Sequence, residues 1–404
     1  MLMNALKPSR TIVTSFNPRK VPLANDHNNS AVSSPYDEGE WVLCLAASSD
    51  TIACALSNGE VQVYDQERLH VTRTFPRSAP VMPTGTTPPT ITSLVYGAAS
   101  PQQTQQNPSI LLSTDASGAL AVMDLRQGQR TIRATLPSAA LSLALGYDGG
   151  HLAAVGSTRG RIYFSDLRQP GSLLGTYVDS HTDDVTQVQF SPYQPTLLLS
   201  GAEDGLLSVF DTTQPTEETA CQSICNVGTA VRHTGFCGPR HLYCLTGSET
   251  LSLWDASSAT LVREYGWDTR GRLSKAAGGM FLEYLVDAYW KDATQQLVLM
   301  AGTATGDSAV FHLASSSTLT EDSFQMQCFC QGGHRGVVRA WSPLSDESVF
   351  VTAGEDARLC EWRPSPLFNS TPPPQPSRPA AKRPSLGGGG PQRRQRTKTG
   401  ASPY

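Results

Sequence analysis

The chain has 404 residues, 39% hydrophobic and 16% charged, with 34 Gly and 28 Pro. It holds no run of 18 or more apolar residues, which excludes a membrane-spanning helix, and its first twenty residues lack an apolar stretch of signal-peptide length. The formal net charge of −4 is uneven: residues 1–36 carry +3, 37–364 carry −14 and 365–404 carry +7, so an acidic body suited to basic partners lies between basic ends.

Residues 1–9 read as a disordered N-terminus. RTIVTSF at 10–16 is the only strand-like run before WVLCLAAS, which begins at Trp41. From there one pattern recurs: a turn, an apolar run, then usually Asp. It reads NGEVQVYD to Asp65, SGALAVMD to Asp124, RGRIYFSD to Asp166, DGLLSVFD to Asp211, SETLSLWD to Asp255, TGDSAVFH to His312 and DARLCEWR to Arg363. Successive copies end 42–59 residues apart. The shorter intervals match a unit of four short strands, and the longer ones contain insertions. The nine cysteines are odd in number, and several lie inside apolar runs such as WVLCLAA and HLYCLTG. They read as small buried hydrophobes in a reducing, intracellular setting.

Two copies are the most complete, His181 to Asp211 and Gly333 to Trp362. Each has a His before a strand, a Ser or Thr four residues before an Asp, and an aromatic six residues after that Asp. These copies resemble WD40 repeats. The resemblance implies an all-β fold, a single seven-bladed WD40 β-propeller over 10–364. It also implies a buried relay in which His334, Thr352, Asp356 and Trp362 are linked by hydrogen bonds. His181, Ser200 and Asp204 match in the fourth copy, where Phe210 replaces the Trp and has no N–H to give.

Seven four-stranded blades stacked around an axis bury both faces of every sheet, so both faces can be apolar. The period of two places Val188 and Phe190 on one face and Val185 on the other. The seventh copy stops after its third strand, where Pro364 and Pro366 follow. The run 10–16 is therefore expected to supply the missing strand and close the ring.

Ser, His and Asp are also the residue types of a hydrolase triad. Their recurrence at equivalent repeat positions favours scaffolding, and the chain lacks G-x-S-x-G and Walker A motifs. No enzyme activity and no cofactor are expected. Cys221, Cys225, His233 and Cys237 are spaced more widely than zinc knuckles, and no metal is expected there.

Blade-joining loops and those between second and third strands share one face, here called the top. Three insertions fall on it, at 17–40, 76–89 and 266–282. The last holds Trp267, Arg270 and Arg272, residue types favoured in interface hot spots, and is expected either to contact a partner or to pack over the ring. Asp183, Asp184, Glu203 and Glu355 gather on the same face, where they either receive a basic peptide or form a solvated rim. The leading reading is a scaffold that binds proteins or peptides on this face.

Two Asp-x-Arg sequences, Asp124 to Arg126 and Asp166 to Arg168, are similar to the docking pairs of WD40 substrate receptors of cullin-4 ubiquitin ligases. Met123 and Ser165 stand where that pattern has an aromatic. The bland reading is that each arginine simply pairs with a neighbouring blade. The tail 365–404 is Pro/Gly-rich and basic and reads as disordered. Lys382 and Arg383, followed by Arg393, Arg394, Arg396 and Lys398, resemble a bipartite nuclear import signal that would engage an import receptor. Such a cluster also binds nucleic acid nonspecifically through phosphates. The protein is expected in the nucleus, the cytoplasm or both.

Overall fold

A computed structural model describes residues 5–14, 40–77, 89–97, 109–146, 150–313, 324–344 and 348–364. Among them lie seven antiparallel sheets of four strands each. Six are built from consecutive strands, named a to d from the inside outward. Blade 1 spans Val42 to Phe75, blade 2 Ile91 to Thr135 and blade 3 Ala140 to Tyr177. Blade 4 spans Gln187 to Asn226, blade 5 Val231 to Glu264 and blade 6 Tyr284 to Cys330. Blade 7 takes three strands from Val338 to Trp362 and its outermost from Arg10–Val13. Each a strand lies against the a strand of the next blade, and blade 7 meets blade 1. The expected seven-bladed propeller is therefore the fold.

The core is divided among the seams between blades. Strand b of blade 1 shows how. Ile52, Cys54 and Leu56 face blade 7 and pack with Val351, Ala353 and Leu359. Ala53 and Ala55 face blade 2 and pack with Ile91, Leu94 and Leu111. All five are fully buried. A continuous apolar run is what a strand covered on both faces requires. Equivalent clusters fill the other five seams. Each fully buried large side chain contributes roughly 1.5–3 kcal/mol, so the seams are the main source of stability.

The placement of Val185 needs correction. It packs in the same seam as Val188 and Phe190. Val185 precedes the paired strand Gln187–Phe190, and its N–H donates to the Ser157 carbonyl of blade 3. The strand period therefore does not reach it. The a strands of the other six blades carry a one-residue register shift near their start, for example between Val42 and Cys44 and between Val338 and Ala340. Such a bulge puts two residues opposite one and breaks strict alternation.

The closing strand expected at 10–16 pairs over Arg10–Val13, Arg10 with Glu361 through Val13 with Arg358, and residues 15 and 16 lie outside the described residues. The expectation of disorder over 1–9 fails for residues 5–9. Leu6 forms a parallel bridge with Cys330 on the outer edge of blade 6. Its N–H donates to Phe329 O at 2.7 Å, and its carbonyl accepts from Gln331 at 3.0 Å. Its side chain packs in the seam of blades 6 and 7. Ser9 Oγ donates to Glu361 Oε1 at 2.6 Å. Arg10 reaches the other carboxylate oxygen of Glu361, whose side chain is fully buried, and the carbonyls of Gln66 and Glu67 in blade 1. One segment thus ties together blades 6, 7 and 1.

Candidate functional site

In blade 7 the relay is complete. His334 Nδ1 lies 3.0 Å from Asp356 Oδ1, and Nε2 lies 2.7 Å from Thr352 Oγ1. The Trp362 indole N–H donates to the same hydroxyl oxygen at 2.7 Å. Asp356 also accepts from the Arg335 backbone N–H at 2.8 Å. Blade 4 repeats the first part. His181 Nδ1 is 3.1 Å from Asp204 Oδ2, Nε2 is 2.7 Å from Ser200 Oγ, and Asp204 accepts from the Thr182 N–H at 2.9 Å. Phe210 stands in the Trp position, fully buried, so Ser200 receives no indole donor.

Both His backbones rest on a turn glycine of the preceding blade. Gly160 has φ +70°, and a Cβ there would fall 2.1 Å from the His181 carbonyl oxygen. Gly306 has φ +92°, and a Cβ would fall 2.6 Å from the His334 carbonyl carbon. Only glycine meets both the left-handed backbone and the close approach.

The two imidazoles differ electrostatically. For His334, burial opposes the charged form, but the Asp356 carboxylate together with Cys360 outweighs it and holds the pKa up to about 9. For His181, burial prevails over Asp204 and the pKa falls below its ordinary value. The stability contributed by charged His334 is fully present below the ordinary histidine pKa of 6.5 and is lost as pH rises through about 9. The contribution of neutral His181 is present above 6.5 and is lost as pH falls through its lowered folded value. We therefore expect the gap in melting temperature between the intact chain and His334→Ala to narrow from pH 6.5 to 9. The gap for His181→Ala should narrow as pH is lowered from 6.5. Melting curves that stay parallel to the intact chain across these ranges would contradict the two charge states.

The remaining copies use other polar groups. In blade 5 the Trp254 indole N–H donates to Ser252 Oγ at 2.9 Å. In blade 3 Ser138 Oγ meets Ser157 Oγ at 2.6 Å and Tyr163 OH at 3.1 Å. The Asp that ends five copies has a local task. Asp65, Asp124, Asp166, Asp211 and Asp255 each accept a backbone N–H from the turn that follows. This is the Asx-type turn for which a short carboxylate side chain is suited.

That task applies to both Asp-x-Arg sequences, which lie in equivalent c–d turns of adjacent blades on the bottom face. Arg168 Nε and Nη2 donate to Asp166 at 2.9 and 2.8 Å, and these bonds hold the Asp166 pKa down to about 2. Arg168 therefore pairs within its own blade. Arg126 is looser, 3.9 Å from Asp124. A cleft of about 660 Å³ opens beside Arg168 between blades 3 and 4, lined by His151, Asp166, Leu174, Thr196 and Thr213.

On the top face, Asp183, Asp184 and Glu203 bring carboxylate oxygens within 4.8 Å of one another. Glu355 lies apart from them and is paired with Arg339. Cys221, Cys225, His233 and Cys237 do not converge on a common centre: the first two lie on strand d of blade 4, the others on strand a of blade 5. Among the described residues no helix is long and apolar enough to cross a membrane.

The insertion 266–282 was read as a loop and contains a helix, α1, over Thr269–Ala276. Leu273 and Leu282 are buried in the seam of blades 5 and 6. Trp267 is 87% exposed and Phe281, which sequence reasoning overlooked, is 76% exposed. The insert therefore packs on the ring and presents aromatics to solvent. Arg270 donates to the Glu283 carbonyl at 2.8 Å, and Arg272 is half-buried. The other two insertions lie largely outside the described residues, as does the whole tail with Lys382, Arg383, Arg393, Arg394, Arg396 and Lys398.

Comparison with known proteins agrees with this architecture. Residues 171–211, which end in the third strand of blade 4, match the family "WD domain, G-beta repeat". The chain is 24% identical over 353 residues to WD repeat-containing protein 89 homolog of Dictyostelium discoideum, spanning 85% of this chain and 89% of that protein. It is 29% identical over 269 residues to WD repeat-containing protein GTS1 of Arabidopsis thaliana, spanning 64% and 67% of the two. A chain in the crystal structure of a mitotic checkpoint complex superposes with a TM-score of 0.63 at 15% identity, over 89% of this chain and 92% of that one, a likeness of fold. Seven four-stranded sheets make the chain a seven-bladed β-propeller, one stretch of which matches the WD repeat and whose sequence is similar to WD repeat-containing protein 89 homolog.

Proposed function

We propose that the protein is a non-catalytic scaffold that binds protein or peptide partners on the top face of the ring. One observation carries the reading. The Ser, Thr, His and Asp side chains that suggest chemistry are engaged in relays and turns, whereas the exposed carboxylates of Asp183 and Glu203 and the half-buried one of Asp184, which accepts the Arg159 N–H, meet on the top face. A rigid ring with functional loops is the usual division of labour between framework and contact surface. Three carboxylates this close favour a Lys- or Arg-bearing peptide and steer its approach. Proximity labelling in cells compares the intact chain with Asp183→Lys combined with Glu203→Lys. The reading expects a subset of neighbours to disappear while the melting temperature is retained. An unchanged set of neighbours counts against it.

A second reading, receptor for a cullin-4-type ubiquitin ligase, is favoured by one feature. Arg126 and Arg168 project from equivalent turns of neighbouring blades with side chains 76% and 65% exposed. Reversing both charges should abolish capture of the ligase adaptor if these turns dock it. For localisation, the paired basic clusters of the tail support nuclear import. Residues 365–404 fused to a cytoplasmic reporter should carry it into the nucleus, and a reporter that stays outside defeats that proposal.

A further inference from the structure

We propose that the insert joining blades 5 and 6 is a second docking surface, for an acidic peptide segment bearing large apolar side chains. The proposal rests on the scaffold reading and assigns the chemistry of one partner.

Trp267 and Phe281 are the two most exposed large apolar side chains among the described residues. They flank α1 on a frame that is held in place. Leu273 and Leu282 are buried at 0% and 1% exposure. Thr269 Oγ1 donates to the Gly266 carbonyl at 2.7 Å, and the Leu282 N–H donates to Ser274 Oγ at 3.0 Å. The aromatics are therefore presented by an ordered element, and a partner that covers them meets a surface already arranged. Exposed aromatics on an ordered surface are the usual anchors of an interface.

Charge identifies the partner. Arg270, Arg272 and Lys275 stand on the helix, with Asp268 at its start and Glu249 of blade 5 interacting with Arg270. Arg270 is anchored by the Glu283 carbonyl beside that carboxylate, so exposed Lys275 is the cation most open to a partner. This local positive patch sits on a body of net charge −14. A short acidic peptide can place its carboxylates on the patch alone. A long polyanion such as RNA would have to lay further charge across acidic surface, which disfavours it. The apolar part of the peptide would cover Trp267 and Phe281.

The test uses the full chain and a short fluorescent peptide composed of Asp, Glu, Leu and Phe, followed by anisotropy. Controls are the same peptide with its acids replaced by Lys, and a single-stranded oligouridine. The acidic peptide should bind the intact chain, more weakly at high salt. Trp267→Ala with Phe281→Ala should reduce affinity by about tenfold or more at unchanged melting temperature. Lys275→Glu should weaken binding and flatten its salt dependence. The proposal is overturned if the double variant binds the peptide as the intact chain does. It is equally overturned if the Lys peptide binds as well, or if oligouridine binds through the same aromatics and the acidic peptide does not. If the peptide fails while charge reversal at Asp183 and Glu203 still changes the cellular neighbours, this inference falls and the scaffold reading stands.

Discussion

Removing residues 1–14 is expected to lower the melting temperature by about 10 °C, from a loss of about 5 kcal/mol. The deletion takes Leu6 out of the seam of blades 6 and 7 and Ile12 out of the seam of blades 7 and 1. Both are half-buried, so each is worth less than the roughly 1.5–3 kcal/mol of a fully buried anchor. It also removes the ladder from Arg10 to Val13 and the bonds of Leu6, Ser9 and Thr14 to Phe329, Gln331, Glu361 and Ala357. Backbone bonds contribute about 1 kcal/mol each, offset in large part by the cost of ordering the segment. A synthetic peptide of residues 1–16 added to the shortened chain should raise the midpoint again in a concentration-dependent way, as mass action requires. A shortened chain that melts with the intact one would show that the strap does not hold the ring. Arg10→Ala probes a different part of the same contact. It leaves the buried Glu361 carboxylate with Ser9 and Arg363 as its remaining side-chain partners.

Asp356→Ala should cost about 3–5 kcal/mol, the range for breaking one side of a buried ion pair. The imidazole of His334 is charged at neutral pH, fully enclosed, and has this carboxylate as its counter-ion. The substitution also strips the acceptor from the Arg335 N–H. Asp204→Ala in blade 4 should cost less, about 1–3 kcal/mol, the price of unpaired neutral groups. There the imidazole is held neutral, so no isolated charge remains. Urea midpoints at pH 7 compare the two variants directly. Equal losses, or a larger loss in blade 4, would refute the assigned charge states.

The ring was legible because its repeating element carries two signals at once. The c strand is apolar on both faces, and the Asp that follows it caps the next turn, so even copies without a His or Trp announce themselves at Asp65 or Asp124. The closing strand was legible from arithmetic, since blade 7 ran out of chain one strand short. What escaped detection lacks any period. Leu6 is a single apolar residue beside Lys7 and Pro8, and its bond partners lie more than three hundred residues away. Helix α1 carries Gly271 within it and Gly278 and Gly279 just after, a composition that argues against helix until Leu273 is seen packed in the seam. Nothing in the sequence marks Glu361 for burial, since glutamate seldom lies inside. Its burial depends on Ser9 and Arg10 arriving from the other end of the chain. At the candidate site, the residue types of the acidic trio were readable, but the diversion of Glu355 to Arg339 is a matter of geometry alone.

The strap has a consequence for biosynthesis. Residues 6–13 leave the ribosome more than three hundred residues ahead of their partners at Cys330 and at 358–361. At about 5–20 residues per second, the strap waits on the order of tens of seconds for a strand to pair with. Throughout that interval blade 1 exposes Val42, Ile52, Cys54 and Leu56, the half-seam that only blade 7 covers. A nascent chain in this state resembles an unfinished sandwich with one sticky slice outward, the kind of exposed apolar surface that chaperones cover. Moving the termini to a different seam through circular permutation should shift this exposure to another pair of blades without altering the finished ring.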